Sequence, residues 1–239
     1  MNILIIGYGK MGHIVEDVLK ERNHNVCAVL DKDDSWQDVD NKKIDCAICF
    51  TQPEAVTENI KECFKRHIPL VMGTTGWYDH LDKVKKQTIQ EKQSFIWSAN
   101  FSIGVYILRK MNIWLAQMMN NYKQYEPSIT EVHHTHKIDA PSGTAIVLAN
   151  ELLENSDKKD SWRLNDNQTD RELKVKALRI GEEFGTHIID YDSKDDVIEI
   201  AHKAKSRRGL AMGAVLAAEF LQGKKGFYTM NDMMENNNQ

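Results

Sequence analysis

The 239-residue chain has 41% hydrophobic and 28% charged residues, a composition typical of globular proteins. Its net charge of −4 and the lack of a basic block argue against a nucleic-acid partner or a membrane-surface partner. No apolar stretch approaches the roughly 20 residues that span a bilayer, and the first residues lack a secretory signal. The four cysteines lie in the first 63 residues, mostly in apolar runs. They are interpreted as core residues of a reduced cytoplasmic protein, with a Cys46–Cys49 metal or redox pair as the alternative.

The first hundred residues alternate short apolar runs with amphipathic segments. Strands are predicted at residues 2–6, 25–30, 45–50, 69–72 and 94–98. Helices are predicted between the first two strands and at residues 53–67 and 79–93. This α/β alternation is typical of a doubly wound parallel sheet.

After residue 100 the pattern changes. A long helix is predicted at 102–122, a strand at 128–135, a helix at 142–155, and strands at 173–180, 186–191 and 196–204. Residues 157–171 are predicted to be a solvated loop, 209–223 the last helix, and the Asn-rich terminus frayed. We therefore expect an α+β domain with a mixed or antiparallel sheet at 102–208, and a first domain formed by 1–101 with 209–239.

A glycine motif follows the first strand. The residues Gly7, Gly9, Lys10, Met11 and Gly12 fit G-x-G-x-x-G, which predicts a Rossmann-type turn whose helix N-terminus binds a pyrophosphate. Asp31 ends the second strand, where an acidic residue binds a ribose hydroxyl, and its neighbour Lys32 suits a 2′-phosphate. NADH and NADPH both stay open, as does a plain glycine-rich turn beside a surface aspartate.

Two further loops follow predicted strands. Phe50 and Thr51 end the third strand, and Gly73, Thr74 and Thr75 end the fourth. Ligands of open α/β sheets bind beyond the carboxyl ends of the strands, so these loops are candidates for holding a nicotinamide ring. An ordinary polar loop is the alternative.

The segment from Glu131 to Ala145 is rich in groups that carry chemistry. His133, His134, His136 and Lys137 offer proton donors and a positive charge, and strand alternation would separate His133 from His134 and His136. Residues Ser142, Gly143 and Thr144 open a helix and could bind a carboxylate. The alternatives are a His-x-His metal site, for which no further ligands are evident, and a polar strand face without chemistry.

The segment Glu-x-His-His-x-x-Lys-x-Asp-Ala-Pro-Ser-Gly-Thr-Ala resembles the signature of the 4-hydroxy-tetrahydrodipicolinate reductase (dihydrodipicolinate reductase) family. The resemblance implies that His133 is the general acid, that Lys137 donates a proton and binds carboxylate, and that the substrate, a small cyclic dicarboxylate, contacts a further set of residues. This set is His134, Ser142, Gly143 and Thr144. It also places Thr74, Thr75, Ala99, Asn100 and Phe101 near the nicotinamide of NADH or NADPH, without a metal, and implies a homotetramer in lysine and diaminopimelate biosynthesis.

Some features depart from the family pattern. The glycine loop is one residue shorter than in many members, and the stretch from Asp31 to Asp45 is too short for a full helix. Both changes touch the adenosine end, so cofactor preference is not carried over. Two other functions stay open: a related two-domain NAD(P) dehydrogenase for another small aspartate-derived substrate, and a non-catalytic dinucleotide-sensing protein.

Overall fold

The computed structural model, which describes residues 1–40, 43–165 and 169–236, divides the chain into two units. Unit 1 consists of Met1–Ser102 with Arg207–Gln239, and unit 2 of Ile103–Ser206. The α/β class, with one parallel and one mixed sheet, is confirmed.

Unit 1 is built on a six-stranded parallel sheet. Its strands are β1 (Asn2–Ile6), β2 (Asn25–Leu30), β3 (Cys46–Cys49), β4 (Leu70–Met72), β5 (Ser94–Trp97) and, late in the chain, β11 (Gly226–Tyr228). Its helices are α1 (Lys10–Glu21), α2 (Val56–Lys65), α3 (Leu81–Gln90), α6 (Arg208–Leu221) and α7 (Met230–Asn236). The strand order is β11-β5-β4-β3-β1-β2. All four residues of β3 are buried, because a parallel sheet is covered on both faces.

The carboxyl-terminal end of unit 1 differs from the prediction. The helix predicted at 209–223 is not the last element, because β11 follows it and pairs with β5, and α7 follows β11. Phe227 of β11 stacks on Phe95 of β5 with ring centroids 5.5 Å apart. A three-residue strand has too little sequence pattern to be predicted and is held by this pairing. The frayed terminus was predicted for residues that include 237–239, which lie outside the described residues.

Unit 2 pairs a mixed sheet with two helices. Its elements are α4 (Ile103–Met119), β6 (Glu126–His133), α5 (Gly143–Glu154), β7 (Ser161–Leu164), β8 (Glu172–Arg179), β9 (Thr186–Asp192) and β10 (Val197–Lys203). The strand order is β10-β9-β6-β8-β7, in which β6, β7 and β8 are parallel and β9 is antiparallel to both its neighbours. Both helices pack on one sheet face over Ile129, Val175 and Ile189.

The solvated loop predicted at 157–171 is wrong in part. Residues 161–164 form the edge strand β7, and Trp162 packs against the core of unit 2. Lys159 is buried, and its ammonium donates to Glu126 and, at 2.8 Å, to the carbonyl of Asp170. These contacts explain why a polar segment is ordered here; residues 166–168 lie outside the described part.

All four cysteines are free thiols; Cys46, Cys49 and Cys63 are buried. Burial raises the pKa of each of these three thiols, so they are unreactive core residues. Within residues 1–40, 43–165 and 169–236, no helix is both long and apolar enough to cross a membrane.

Helix α6 approaches the backbone of unit 1 closely at one glycine. A Cβ atom added at Gly213 would lie 1.7 Å from the carbonyl oxygen of Phe101. At Gly209, one turn earlier on the same helix, the nearest atom to an added Cβ would be the Ser102 hydroxyl at 3.7 Å. The contact at Gly213 therefore requires a residue without a side chain.

We expect Gly213→Ala to lower the free energy of unfolding by about 1–3 kcal/mol, because the methyl group must displace backbone. Gly209→Ala is the matched control and should be neutral or stabilising by up to about 1 kcal/mol, since alanine is the better helix former. Urea unfolding of both variants measures the difference. Equal stabilities would contradict the close approach.

Candidate functional site

The predicted glycine turn joins β1 to α1. Gly7 has a φ of +88°, and a Cβ there would lie 2.2 Å from the carbonyl oxygen of Phe50. A Cβ at Gly12 would lie 2.4 Å from the carbonyl oxygen of Gly7. At Gly9, which caps α1, an added Cβ meets nothing within 4 Å. The turn thus packs tightly on one side and leaves open space at the helix N-terminus, which suits the approach of a phosphate.

This open space belongs to a cleft of about 950 Å³ over the carboxyl ends of β1 to β4. The predicted residues that line it are Gly7, Gly9, Lys10, Met11, Asp31, Lys32, Phe50, Thr51, Gly73, Thr74 and Thr75. Four predicted residues do not line it: Gly12, Ala99, Asn100 and Phe101. Lining residues that were not among the predicted cofactor contacts include Asp34, Trp36, Asn59 and Arg207. The volume is within the range of small-molecule and cofactor sites.

One end of this cleft carries charges of both signs. The Asp31 carboxylate accepts from the backbone N–H of Tyr8 at 3.2 Å, and the Asp31 N–H donates to Asp34 at 2.8 Å. Lys32 is exposed and lies 3.9 Å from Asp33, and Arg207 lines the same cleft. The carboxylates suit the ribose 2′-hydroxyl of NADH, and the cations suit the 2′-phosphate of NADPH. The charges therefore favour neither of the two dinucleotides.

The loops after β3 and β4 are hydrogen-bonded to each other. The Thr51 N–H donates to the Thr74 hydroxyl at 2.8 Å, and the Trp77 indole donates to the Thr74 carbonyl at 2.8 Å. Asn100 accepts from the Ser102 N–H at 2.9 Å, just before α4. Phe101 is buried, and its carbonyl oxygen packs against Gly213 of α6.

In unit 2, the candidate proton donor lies at the end of β6. The predicted alternation of His133, His134 and His136 is wrong, because the strand ends at His133. The Lys137 N–H donates to the His134 carbonyl at 3.1 Å, which closes a turn. His136 is 79% exposed, 3.8 Å from Glu182.

His133 contacts a completely buried carboxylate. Its Nδ1 is hydrogen-bonded to Glu131, which also accepts from the Arg179 guanidinium at 2.9 and 3.0 Å and from the Ser142 N–H at 3.1 Å. Burial alone would raise the pKa of Glu131, but the hydrogen bonds from His133 and Arg179 lower it to about 2. Arg179 was not singled out from the sequence, since it reaches the site through the pairing of β8 with β6.

The residues predicted to bind a carboxylate, Ser142, Gly143 and Thr144, lie at the start of α5 and are called the carboxylate cradle below. The Ser142 hydroxyl caps the helix by accepting from the Ala145 N–H at 3.2 Å, and it lies 3.1 Å from Nε2 of His187. An added Cβ at Gly143 meets nothing within 4 Å, so the first turn of α5 is open to a ligand. Lys137 lies close by in sequence, with its ammonium 2.7 Å from Asp139, whose pKa this contact lowers.

His187, which the sequence analysis missed, is 4% exposed and its ring centroid lies 5.3 Å from that of His133. Burial lowers its pKa to about 4, with further lowering by His133, so the ring is neutral at pH 7. In the part of the chain that the structure describes, Nδ1 of His134, His187 and His202 is buried without a hydrogen-bond partner. Buried polar atoms of this kind are normally satisfied, which makes them candidate ligand contacts.

Among the described residues, no group of three or more His, Cys, Asp or Glu side chains could hold a metal ion.

Comparison with known proteins places both units in one family. Residues 1–101 match the family profile described as "Dihydrodipicolinate reductase, N-terminus", and residues 104–234 match the C-terminal profile. The chain is 44% identical over 234 residues to the 4-hydroxy-tetrahydrodipicolinate reductase of Christiangramia forsetii, covering 98% of each chain. It is 34% identical over 246 residues to that of Staphylococcus epidermidis, covering 98% of this chain and all of the relative.

A solved structure has the same fold. It is the dipicolinate-bound dihydrodipicolinate reductase from Paenisporosarcina sp. TG-14, which superposes with a TM-score of 0.76 at 21% identity and covers 97% of this chain and 99% of that one. With both profiles matched along nearly the whole chain, this protein belongs to the dihydrodipicolinate reductase family.

Proposed function

We propose that the protein is an NAD(P)H-dependent 4-hydroxy-tetrahydrodipicolinate reductase of diaminopimelate and lysine biosynthesis. The reaction consumes the substrate, NAD(P)H and one proton and yields tetrahydrodipicolinate, NAD(P)⁺ and water. The observation that carries the proposal is the cluster at the start of α5, in which the Glu131 carboxylate contacts both His133 and the N–H of the helix cap Ser142. This cluster lies in a chain that belongs to the reductase family. The two other functions considered from the sequence have no observation in their favour.

Unit 1 is proposed to bind the dinucleotide. The open space at Gly9 and the first turn of α1 fit a pyrophosphate, and the Asp31 carboxylate fits a ribose hydroxyl. The loops joined by Thr51 and Thr74 suit the nicotinamide end, with Ala99, Asn100 and Phe101 as further candidate contacts. When bound, NADH or NADPH supplies the hydride.

Unit 2 is proposed to bind the dicarboxylate. Helix α5 begins at Gly143, which is exposed, and the N-terminus of this helix, with Gly143 and Thr144 in its first turn, stabilises an anion through the helix dipole. Lys137 adds a positive charge, for which a substrate carboxylate competes with Asp139. The unpartnered Nδ1 of His134 is a further candidate contact.

His133 is proposed to donate the proton. Its Nδ1 is occupied by Glu131, so Nε2 is the atom available to a substrate. A Cβ at Gly185 would lie 3.0 Å from this Nε2, so the glycine keeps that side of the ring accessible. Lys137 is the second candidate donor.

The cytoplasm is the proposed location and a homotetramer the proposed assembly. The sheet face of unit 2 opposite the two helices carries acidic residues on β9 and β10 (Asp190, Asp192, Glu199) and lysines on β8 (Lys174, Lys176). Burial and the neighbouring carboxylates raise the pKa of Asp190. In a face-to-face pairing about a two-fold axis that runs along the strands, each acidic half would meet a basic half, which supports association through this face.

The function is tested by following the oxidation of NADH and of NADPH. The substrate is made in situ from pyruvate and aspartate semialdehyde by a coupling synthase. We expect rapid oxidation of NADH, NADPH or both that requires the synthase. Nucleotide binding without turnover would contradict the reductase and favour a sensing protein.

In the same assay, His133→Ala should lower kcat by about 10²–10⁴-fold, the usual contribution of a general acid. Lys137→Ala should raise KM as well, because it removes a charge that binds carboxylate. The matched control is His136→Ala, which removes an exposed histidine of the same segment and should leave both constants unchanged. Wild-type kinetics in both of the first two variants would contradict the site assignment.

The assembly is tested by measuring the molecular mass of the protein in solution. The protein should have about four times the 27.5 kDa chain mass in solution. Ile188→Asp, in the middle of the uncovered sheet face, should dissociate it, because a carboxylate would be added beside Asp190. The control is Ile89→Asp on α3 of unit 1, where the isoleucine is 59% exposed. A wild-type protein of single-chain mass would contradict the tetramer.

A further inference from the structure

The buried carboxylate of Glu131 accepts as many hydrogen bonds as its two oxygens can take. Two oxygens accept four hydrogen bonds, from His133, from two nitrogens of Arg179 and from the Ser142 N–H. These partners come from three elements, namely β6, β8 and the start of α5. The carboxylate therefore links the candidate acid to the candidate carboxylate cradle.

We infer that Glu131 is a positioning residue for His133, holding its imidazole as the Nδ1–H tautomer so that Nε2 is the atom that exchanges protons with the substrate. The inference rests on the proposed function of His133 as proton donor. Glu131 itself touches neither substrate nor reacting atoms in this assignment.

The tautomer follows from the chemistry of the contact. An ionised carboxylate only accepts hydrogen bonds, so the Nδ1 that contacts it must carry a proton. Nε2 then holds the lone pair in the neutral ring and the second proton in the imidazolium ion. When Nε2 gives up its proton, the Nδ1–H bond to Glu131 stays intact, and Nε2 is reprotonated on the next cycle.

Glu131 stays ionised because its hydrogen bonds outweigh its burial. The lowered pKa of Glu131 leaves it unprotonated at neutral pH, so Nδ1 of His133 keeps its proton. Arg179 compensates its charge through a two-nitrogen contact, which also fixes the carboxylate plane.

The remaining groups around His133 do not replace Glu131. His187 is neutral at pH 7, and its Nε2 lies 3.1 Å from the Ser142 hydroxyl, which accepts from the Ala145 N–H. Burial also lowers the pKa of His202, whose strand β10 pairs with β9 opposite His187. Other charged groups of the cluster are paired: Lys137 contacts Asp139, and Arg179 contacts Glu131 and, at 2.6 Å, the Asp139 carbonyl.

The test compares Glu131→Gln with Glu151→Gln. Glu151 is a partly buried carboxylate of the same unit that contacts Arg109 at 2.9 Å and, among the described residues, no histidine, so the control makes the same chemical change away from His133. We expect Glu131→Gln to lower kcat by about 10- to 100-fold with little change in KM, as for other residues that orient a functional histidine. Glu151→Gln should keep the wild-type kcat.

The pH profile separates positioning from a structural defect. With Glu131 neutral, Arg179 is an uncompensated charge beside His133 and disfavours the imidazolium ion. The descending limb of kcat against pH should then move to lower pH by about 1 unit, which a loss of folded protein would not cause. An unmoved limb, or a kcat equal to that of Glu151→Gln, would overturn the inference.

A double variant distinguishes this inference from the proposed function. If Glu131 acts through His133, Glu131→Gln should have no further effect on kcat in a His133→Ala background, whereas an additive loss would refute the positioning role. If His133→Ala alone keeps the wild-type kcat, the proposed function of His133 fails and the inference with it. If His133→Ala is slow and Glu131→Gln is normal, only the inference fails.

A measurement on the unsubstituted protein covers the case in which Glu131→Gln does not fold. Ring-nitrogen NMR of ¹⁵N-histidine-labelled protein resolves the tautomers of its nine histidines, and the signal lost in His133→Ala assigns His133. We expect a protonated Nδ1 and an unprotonated Nε2 in the neutral ring. The opposite tautomer would overturn the inference.

Discussion

The hydrogen bonds to the Glu131 carboxylate are the constraint on which the polar cluster of unit 2 depends. A charge in a dry environment is unfavourable by several kcal/mol unless partners compensate it. Here the compensation comes from His133, Arg179 and the Ser142 N–H. The same two oxygens join β6, β8 and the start of α5. The candidate proton donor and the candidate carboxylate cradle therefore cannot move independently.

The register of the mixed sheet explains why this carboxylate is buried at all. Along β6 the face that carries Ile129 continues to Glu131 and then His133, and the same face of β9 carries Ile189 and then His187. Directly paired residues share a face, so Glu131 lies opposite His187 and His133 opposite Arg179. The alternation that forms the core thus also forms the polar cluster, as the apolar side chains give way to titratable ones at the strand ends.

The sequence predicted those features that rest on neighbours along the chain. The glycine turn at Gly7 and the Ser142 cap are local signals, and the strand–helix order of unit 1 follows from periodicity. Arg179 was missed because strand pairing, rather than a motif, brings it to its site. The predicted alternation beyond His133 failed because the Thr135 N–H bonds to Gly181 and ends the strand, a contact across 46 positions.

The two candidate sites tolerate sequence change differently, for a physical reason. Backbone groups form two parts of the cleft of unit 1, the turn at Gly7 and the open helix start at Gly9. Backbone geometry survives changes in nearby side chains, and the departures from the family pattern, the short glycine loop and the abbreviated stretch after Asp31, fall there. The cluster of unit 2 is formed by side chains from separate strands that share one carboxylate. A change of register or charge at Glu131 would alter all its partners together, so variation at the cofactor end and an intact histidine segment are compatible in one protein.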